Sequence, residues 1–189
     1  MTLLDNLILL SAAGLLTGLL VPFVAARMNE QRVVRQRQAE ENIARDSKFI
    51  EAQTDFLDRL STDLWRLAGK ILAVSYYAGQ SQQQFAEAWR LYEDSSFEEL
   101  FGLRAHVSRA QHLLSAEAQQ QLADLHAWLF GDVDPPFTTA ARKSLRSEDE
   151  RRGGDWSTWH GTTMTALFAR IDTVLITVAK DIGAIQRGR

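Results

Sequence analysis

Residues 43–77 read IARDSKFIEAQTDFLDRLSTDLWRLAGKILAVSYY, and the spacing of their apolar side chains decides the fold class. Ile43, Ile50, Leu57, Leu64 and Ile71 recur every seven residues, and Leu60, Leu67 and Val74 fill the alternate position in the second half. A sustained 3-4 repeat is the pattern of a helix that packs along a near-parallel partner, as in a coiled coil. That partner is either a second copy or another helix of the same chain. Phe49, Phe56 and Trp65 widen the stripe beyond a two-stranded seam, which favours the intrachain partner and a multi-helix bundle.

Upstream, residues 27–44 are rich in Gln, Arg and Glu, with Val33, Val34 and Ile43 as their large apolar members. A helix polar all round is a solvent-bridging element, and this one reads as a stalk of ~20–25 Å by helical rise. Glu41 with Arg45 and Asp55 with Arg59 are i,i+4 pairs, each worth only ~0.2–0.5 kcal/mol.

Before the stalk lies LILLSAAGLLTGLLVPFVAA, residues 7–26, without a charged side chain. As a helix it would reach ~30 Å, the thickness of a bilayer's hydrocarbon core. A cleaved signal peptide fits less well. Residues 1–6 contain no Lys or Arg, Asp5 is acidic, and the apolar run is long. The expected reading is a transmembrane anchor at 7–26 preceded by a short extracytoplasmic N-terminus at 1–6. Arg27, Arg32, Arg35 and Arg37 follow it directly, so the positive-inside rule places the C-terminal part in the cytoplasm. These arginines are also candidates for contact with anionic lipid. Gly14 and Gly18 form a small-xxx-small pair and mark a candidate packing face within the membrane. Pro22 is a candidate kink.

Downstream, residues 78–81 read as a turn, with Ser81 an N-cap. Phe85, Ala88, Trp89 and Tyr92 return at helical spacing. Residues 94–96, Asp-Ser-Ser, suggest a break and a new cap. Phe97, Leu100, Phe101, Arg104, Val107, Ala110 and Leu114 suggest the next helix. Ser115 caps a shorter one carrying Ala118, Leu122, Leu125 and Leu129, which ends at Gly131. The Asp-Val-Asp-Pro-Pro stretch at 132–136 is expected to leave the helix, and 137–141 to form a turn or a short helix. The SEDERRGG stretch at 147–154 reads as a surface loop, so that 132–155 form a charged loop region. The final helix begins between Asp155 and Thr162. It carries Met164, Leu167, Ile171, Val174, Val178 and Ile185. Two long striped helices at the two ends suggest an antiparallel pair covered by the central helices. The expected fold is therefore all-α: one N-terminal transmembrane helix, a stalk at 27–44, and a four- to five-helix cytoplasmic bundle over 45–189 with a long first helix.

The 189 residues leave about 160 for one domain with a core. Net charge is −3, without the basic signature of a nucleic-acid binder. There is no cysteine, which excludes disulfides, thiolate metal sites and a Cys nucleophile. Only four of the 21 basic residues are lysine, a compositional bias and not a motif.

A search for chemistry finds no catalytic, cofactor-binding or metal-ligating set. None of His106, His112, His126 and His160 follows a Glu by three residues, so the Glu-x-x-His pairs of bundle metal sites are absent. Gly-rich phosphate loops and nucleophile motifs are missing too. Glu40-Glu41 and Glu98-Glu99 are adjacent and do not face one another on a helix; they read as solvated. The densest cluster is Asp-Trp-Ser-Thr-Trp-His at 155–160. It reads either as a pocket with aromatic walls or, more simply, as a helix start with Trp156 and Trp159 folded onto the core.

These observations lead us to expect a non-enzymatic, single-pass protein of the bacterial inner membrane. Its cytoplasmic bundle would serve as an adaptor, scaffold or assembly subunit. The expected partners are membrane lipid through 7–26 and another protein or further copies of the chain, with no nucleic acid and no small-molecule substrate. The alternative is a self-oligomerising, membrane-acting effector or channel subunit. An enzyme with a site near Asp155 and His160 has the least support.

Overall fold

The computed structural model describes the backbone of residues 21–187 and the side chains of residues 27–183. The described chain is 92% helix, with no strand. Most of the expected anchor lies outside it, including Gly14 and Gly18. The helices are α1 (Val21–Tyr77), α2 (Gln82–Leu113), α3 (Ala116–Trp128), α4 (Asp134–Ser144), α5 (Glu148–Arg152), α6 (Trp156–Thr158) and α7 (Met164–Arg187). Single π-helical turns, Leu129–Val133 and Trp159–Thr163, join α3 to α4 and α6 to α7.

The chain divides into two units, 1–48 and 49–189. In the first, every side chain from Arg27 to Arg45 is exposed. That holds for Arg27, Arg32, Arg35 and Arg37, and also for Val33, Val34 and Ile43. Ile43 therefore opens the heptad register without entering a core.

The second unit is a helical bundle. Leu60, Leu64, Leu67, Ile71 and Val74 of α1 are buried, as their 3-4 spacing requires. Three contacts fix α1 antiparallel to α2: Gln53 Nε2 donates to the Leu113 carbonyl at 2.7 Å, Asp63 meets His106 at 2.8 Å, and Lys70 meets Glu99 at 2.5 Å. Rising numbers on one helix meet falling numbers on the other. The Trp65–Phe168 ring contact and the Ser75–His160 hydrogen bond fix α1 antiparallel to the last helical stretch in the same way. Asp181 accepts the Ser115 amide at 2.6 Å, and Arg170 lies over the Trp128 ring, which sets α3 antiparallel to α7. Each apolar stripe thus buries against two neighbours, and one core runs through the unit.

Trp156–Gly183 is long and apolar enough to cross a membrane. Its apolar face, Met164, Leu167, Ile171, Val174, Val178 and Ile182, is buried in this core. Arg170, Asp172 and Lys180 occupy its exposed side. Apolarity on one face with charge on the other is the pattern of a core helix.

Local chemistry explains the boundaries. Ser81 forms a capping box with Gln84 at the start of α2, and Ser115 caps α3, both as the sequence suggests. The expected break at 94–96 does not occur, and α2 runs through it. Ser95 Oγ donates to the Leu91 carbonyl one turn back, so the hydroxyl is satisfied inside the helix instead of capping a new one. Nor does Gly131 end the helical path. The π turn carries the chain into α4, where the prolines lie in the first turn, whose amides need no helical partner.

The charged stretch at 147–154 lies at the surface but is a loop only in part, since Glu148–Arg152 form α5. Ser147 caps α5, and Arg151, 2% exposed, donates to the Ala78 carbonyl and to Gln82 Oε1. A guanidinium at the C-terminal end of α1 satisfies a carbonyl left without a helical partner and complements the helix dipole. Regular helix thus fills most of the region 132–155.

Candidate functional site

Alpha-helix α2 buries Phe85, Ala88, Trp89, Tyr92, Leu100, Leu103, His106 and Ala110. At 3.6 residues per turn this set defines one face. Phe97 and Phe101 fall on another. They are 66% and 50% exposed, and their ring centroids lie 4.5 Å apart. Phe130, in the first π turn, is 50% exposed and stacks on His126 with 16° between the planes. Leu100, Phe101, Arg104, His126 and Phe130 line a shallow notch of about 170 Å³. The ring contact and the notch join all three phenylalanines into one aromatic surface.

Burial of an exposed phenylalanine is worth ~1.5–3 kcal/mol, and none of these three obtains it fully within the chain. A contiguous aromatic patch, unlike scattered single residues, marks an interaction site. Arg104 supplies its charge. His126 is held below the ordinary histidine range, first by burial and then by the Arg104 charge, while a hydrogen bond to the Leu100 carbonyl acts the other way. Aromatic rings with an arginine are the side chains that dominate protein interfaces.

The polar clusters elsewhere are engaged in holding helices together. Lys70 donates to both Glu99 and Ser95, so Glu99 is not the solvated carboxylate expected from its neighbour Glu98. Ser95 already gives its own proton to Leu91, which leaves the trio as a tie between α1 and α2. Tyr92 Oη donates to Asp134 Oδ1 at 2.6 Å. Burial, reinforced by the Asp134 bond and charge, pushes this phenol far above its usual range, so it stays protonated.

At the cluster 155–160, Trp156 and Ser157 border an open cavity of about 460 Å³ shared with Gly79, Arg151 and Arg152, while the two indole rings themselves pack onto the core. Trp156 lies against Phe85 and Phe137, and its indole N–H donates to Ser144 Oγ at 3.1 Å. Trp159 packs on Phe137. Asp155 caps α6; the hydrogen bond from Thr158 holds its carboxyl below the usual range. Among the described residues no group of three or more His, Asp or Glu is placed to hold a metal ion.

The aromatic surface escaped the sequence reading because Phe97 and Phe101 fit an apolar helical stripe as well as Leu100 does. The phase of Leu100, Leu103 and Ala110 was the signal that separates the two faces. No family model, no curated protein and no solved structure matches this chain.

Proposed function

We propose that this chain is a single-pass membrane protein whose helical bundle acts without catalysis. It would be an adaptor, scaffold or assembly subunit, working through protein–protein contacts at the cytoplasmic face of a bacterial inner membrane. The observation that carries this reading is the exposed aromatic surface of Phe97, Phe101 and Phe130 on an otherwise well-packed bundle. A folded domain with its own core gains nothing from leaving three neighbouring rings in water unless something covers them.

The uncharged run at 7–26 supports the membrane placement. Arg27, Arg32, Arg35 and Arg37 support the orientation, and their exposure leaves them available to anionic head groups. Tethering would raise the local concentration of partners, so a modest contact area suffices.

The test uses the full chain in cells. The wild type should stay with membranes through alkaline extraction and bring a stoichiometric protein partner, or a second copy, with it in mild detergent. The Phe97→Ser/Phe101→Ser variant should stay in the membrane and lose the partner. Recovery of the wild type in the soluble fraction would contradict the anchor. Retention of the partner by the variant would contradict the surface.

A further inference from the structure

The exposed side of α2 carries its own 3-4 seam, distinct from the core stripe: Arg90, Asp94, Phe97, Phe101, Arg104 and Ser108, all exposed. The spacings run four, three, four, three, four. That is the register by which one helix faces another along its length. Among the described residues the seam stays exposed along its length, and only Phe101 and Arg104 border another element, at the notch shared with His126 and Phe130.

The charges on the seam are distributed in a way that selects the occupant. Asp94 lies one step before the phenylalanine pair and Arg104 one step after it. Among the described residues neither enters an ion pair within the chain. We propose that the seam pairs with the same seam of a second copy of this chain, the two α2 helices running antiparallel. This rests on the reading of the aromatic surface as a protein contact and names its partner.

A two-fold axis midway between Phe97 and Phe101 sets Phe97 opposite Phe101 of the second copy. It sets Asp94 opposite Arg104 and Arg90 opposite Ser108. Symmetry makes each of these contacts twice, as a self-complementary interface requires. The four rings form an apolar centre, and two Asp–Arg pairs close its ends. A parallel pair would instead bring Asp94 onto Asp94 and Arg104 onto Arg104, so like charges disfavour it. The notch between Phe101 and Phe130 lies beside the seam and gives an incoming ring a seat.

The experiment measures the protein mass of the full chain in mild detergent micelles. The wild type is expected at twice the 21.3 kDa of one chain. Asp94→Arg sets two arginines against each other and Arg104→Asp sets two aspartates. Each should raise the dissociation constant by ~10-fold or more, because like-charge contacts across an interface are strongly unfavourable. The double variant Asp94→Arg/Arg104→Asp restores opposite charges and should restore the dimer. Both positions are exposed, so a melting temperature equal to that of the wild type at dilute protein, where single copies prevail, confirms that each variant folds.

A monomeric wild type, or a double variant no better than the single ones, overturns the antiparallel pairing. Its failure is separable from failure of the broader reading. A foreign chain that co-purifies with the wild type and is lost in Phe97→Ser/Phe101→Ser overturns self-pairing alone. A monomer with no co-purifying chain overturns both.

Discussion

Lys70 Nζ lies 2.5 Å from Glu99 Oε1 across the α1–α2 contact, and the two side chains are only 26% and 13% exposed. The second Glu99 oxygen is buried without a protein partner. Removing the lysine would leave a carboxylate in poor solvent contact with nothing to balance it. Lys70→Ala should cost ~2 kcal/mol, between the ~0–1 of exposed pairs and the ~3–5 of fully buried ones. The double variant Lys70→Ala/Glu99→Ala should cost less than Lys70→Ala plus Glu99→Ala. A double-mutant cycle by urea unfolding checks this, and strict additivity would show the pair to be uncoupled.

Core and surface phenylalanines should separate cleanly. Phe85, fully buried and in edge contact with Trp156, should cost ~3–5 kcal/mol on truncation to Ala. Phe97→Ser and Phe101→Ser should each stay within ~0.5 kcal/mol of the wild type, as exposed substitutions do. The comparison belongs at dilute protein, where mass action favours single copies. Equal losses at all three positions would mean that the aromatic surface is part of the fold.

The buried phenol gives a signature at high pH. The folded-state value of Tyr92 is raised, so the native state keeps its proton when an unfolded tyrosine loses it, above ~pH 10. Its contribution to stability is fully present below that pH and is lost progressively above it. Tyr92→Phe should lose the Asp134 bond, at ~1 kcal/mol, and show a flatter alkaline decline. Parallel declines for the two proteins would refute the shift.

His126 gives the opposite signature at low pH. Its folded-state value is lowered, by burial first and the Arg104 charge second. Its contribution is present above the unfolded value of ~6.5 and is lost as pH falls below it. Unfolding midpoints measured from ~pH 7 to ~pH 5 should fall less for His126→Gln than for the wild type. Arg104→Gln should lie between them.

The bundle was legible wherever one residue type in one period had one physical use. Leu60, Leu64, Leu67, Ile71 and Val74 are buried as their spacing requires, and Ser81 and Ser115 cap the helices that they precede. Legibility failed where a residue had two uses. Ser95 can cap a helix or bond back inside one, and α2 takes the second course. Pro135 and Pro136 end one helix in most settings, yet here they begin another. Charge in residues 147–154 suggested solvent, but Arg151 is needed at the end of α1. Lys70 and Glu99 stand 29 residues apart, and only the packed helices reveal that they meet. Phe97 and Phe101 look like core residues until the phase of Leu100 and Leu103 is known.

The most direct test of the central claim places a photo-crosslinking amino acid at position 97 of the full chain in intact cells, with position 120, exposed on α3, as the control. The expected result is a membrane-bound adduct containing a second protein chain at position 97 and none at position 120. No protein adduct at position 97, or recovery of the chain away from the membrane, would contradict a membrane-tethered bundle that works through its aromatic surface.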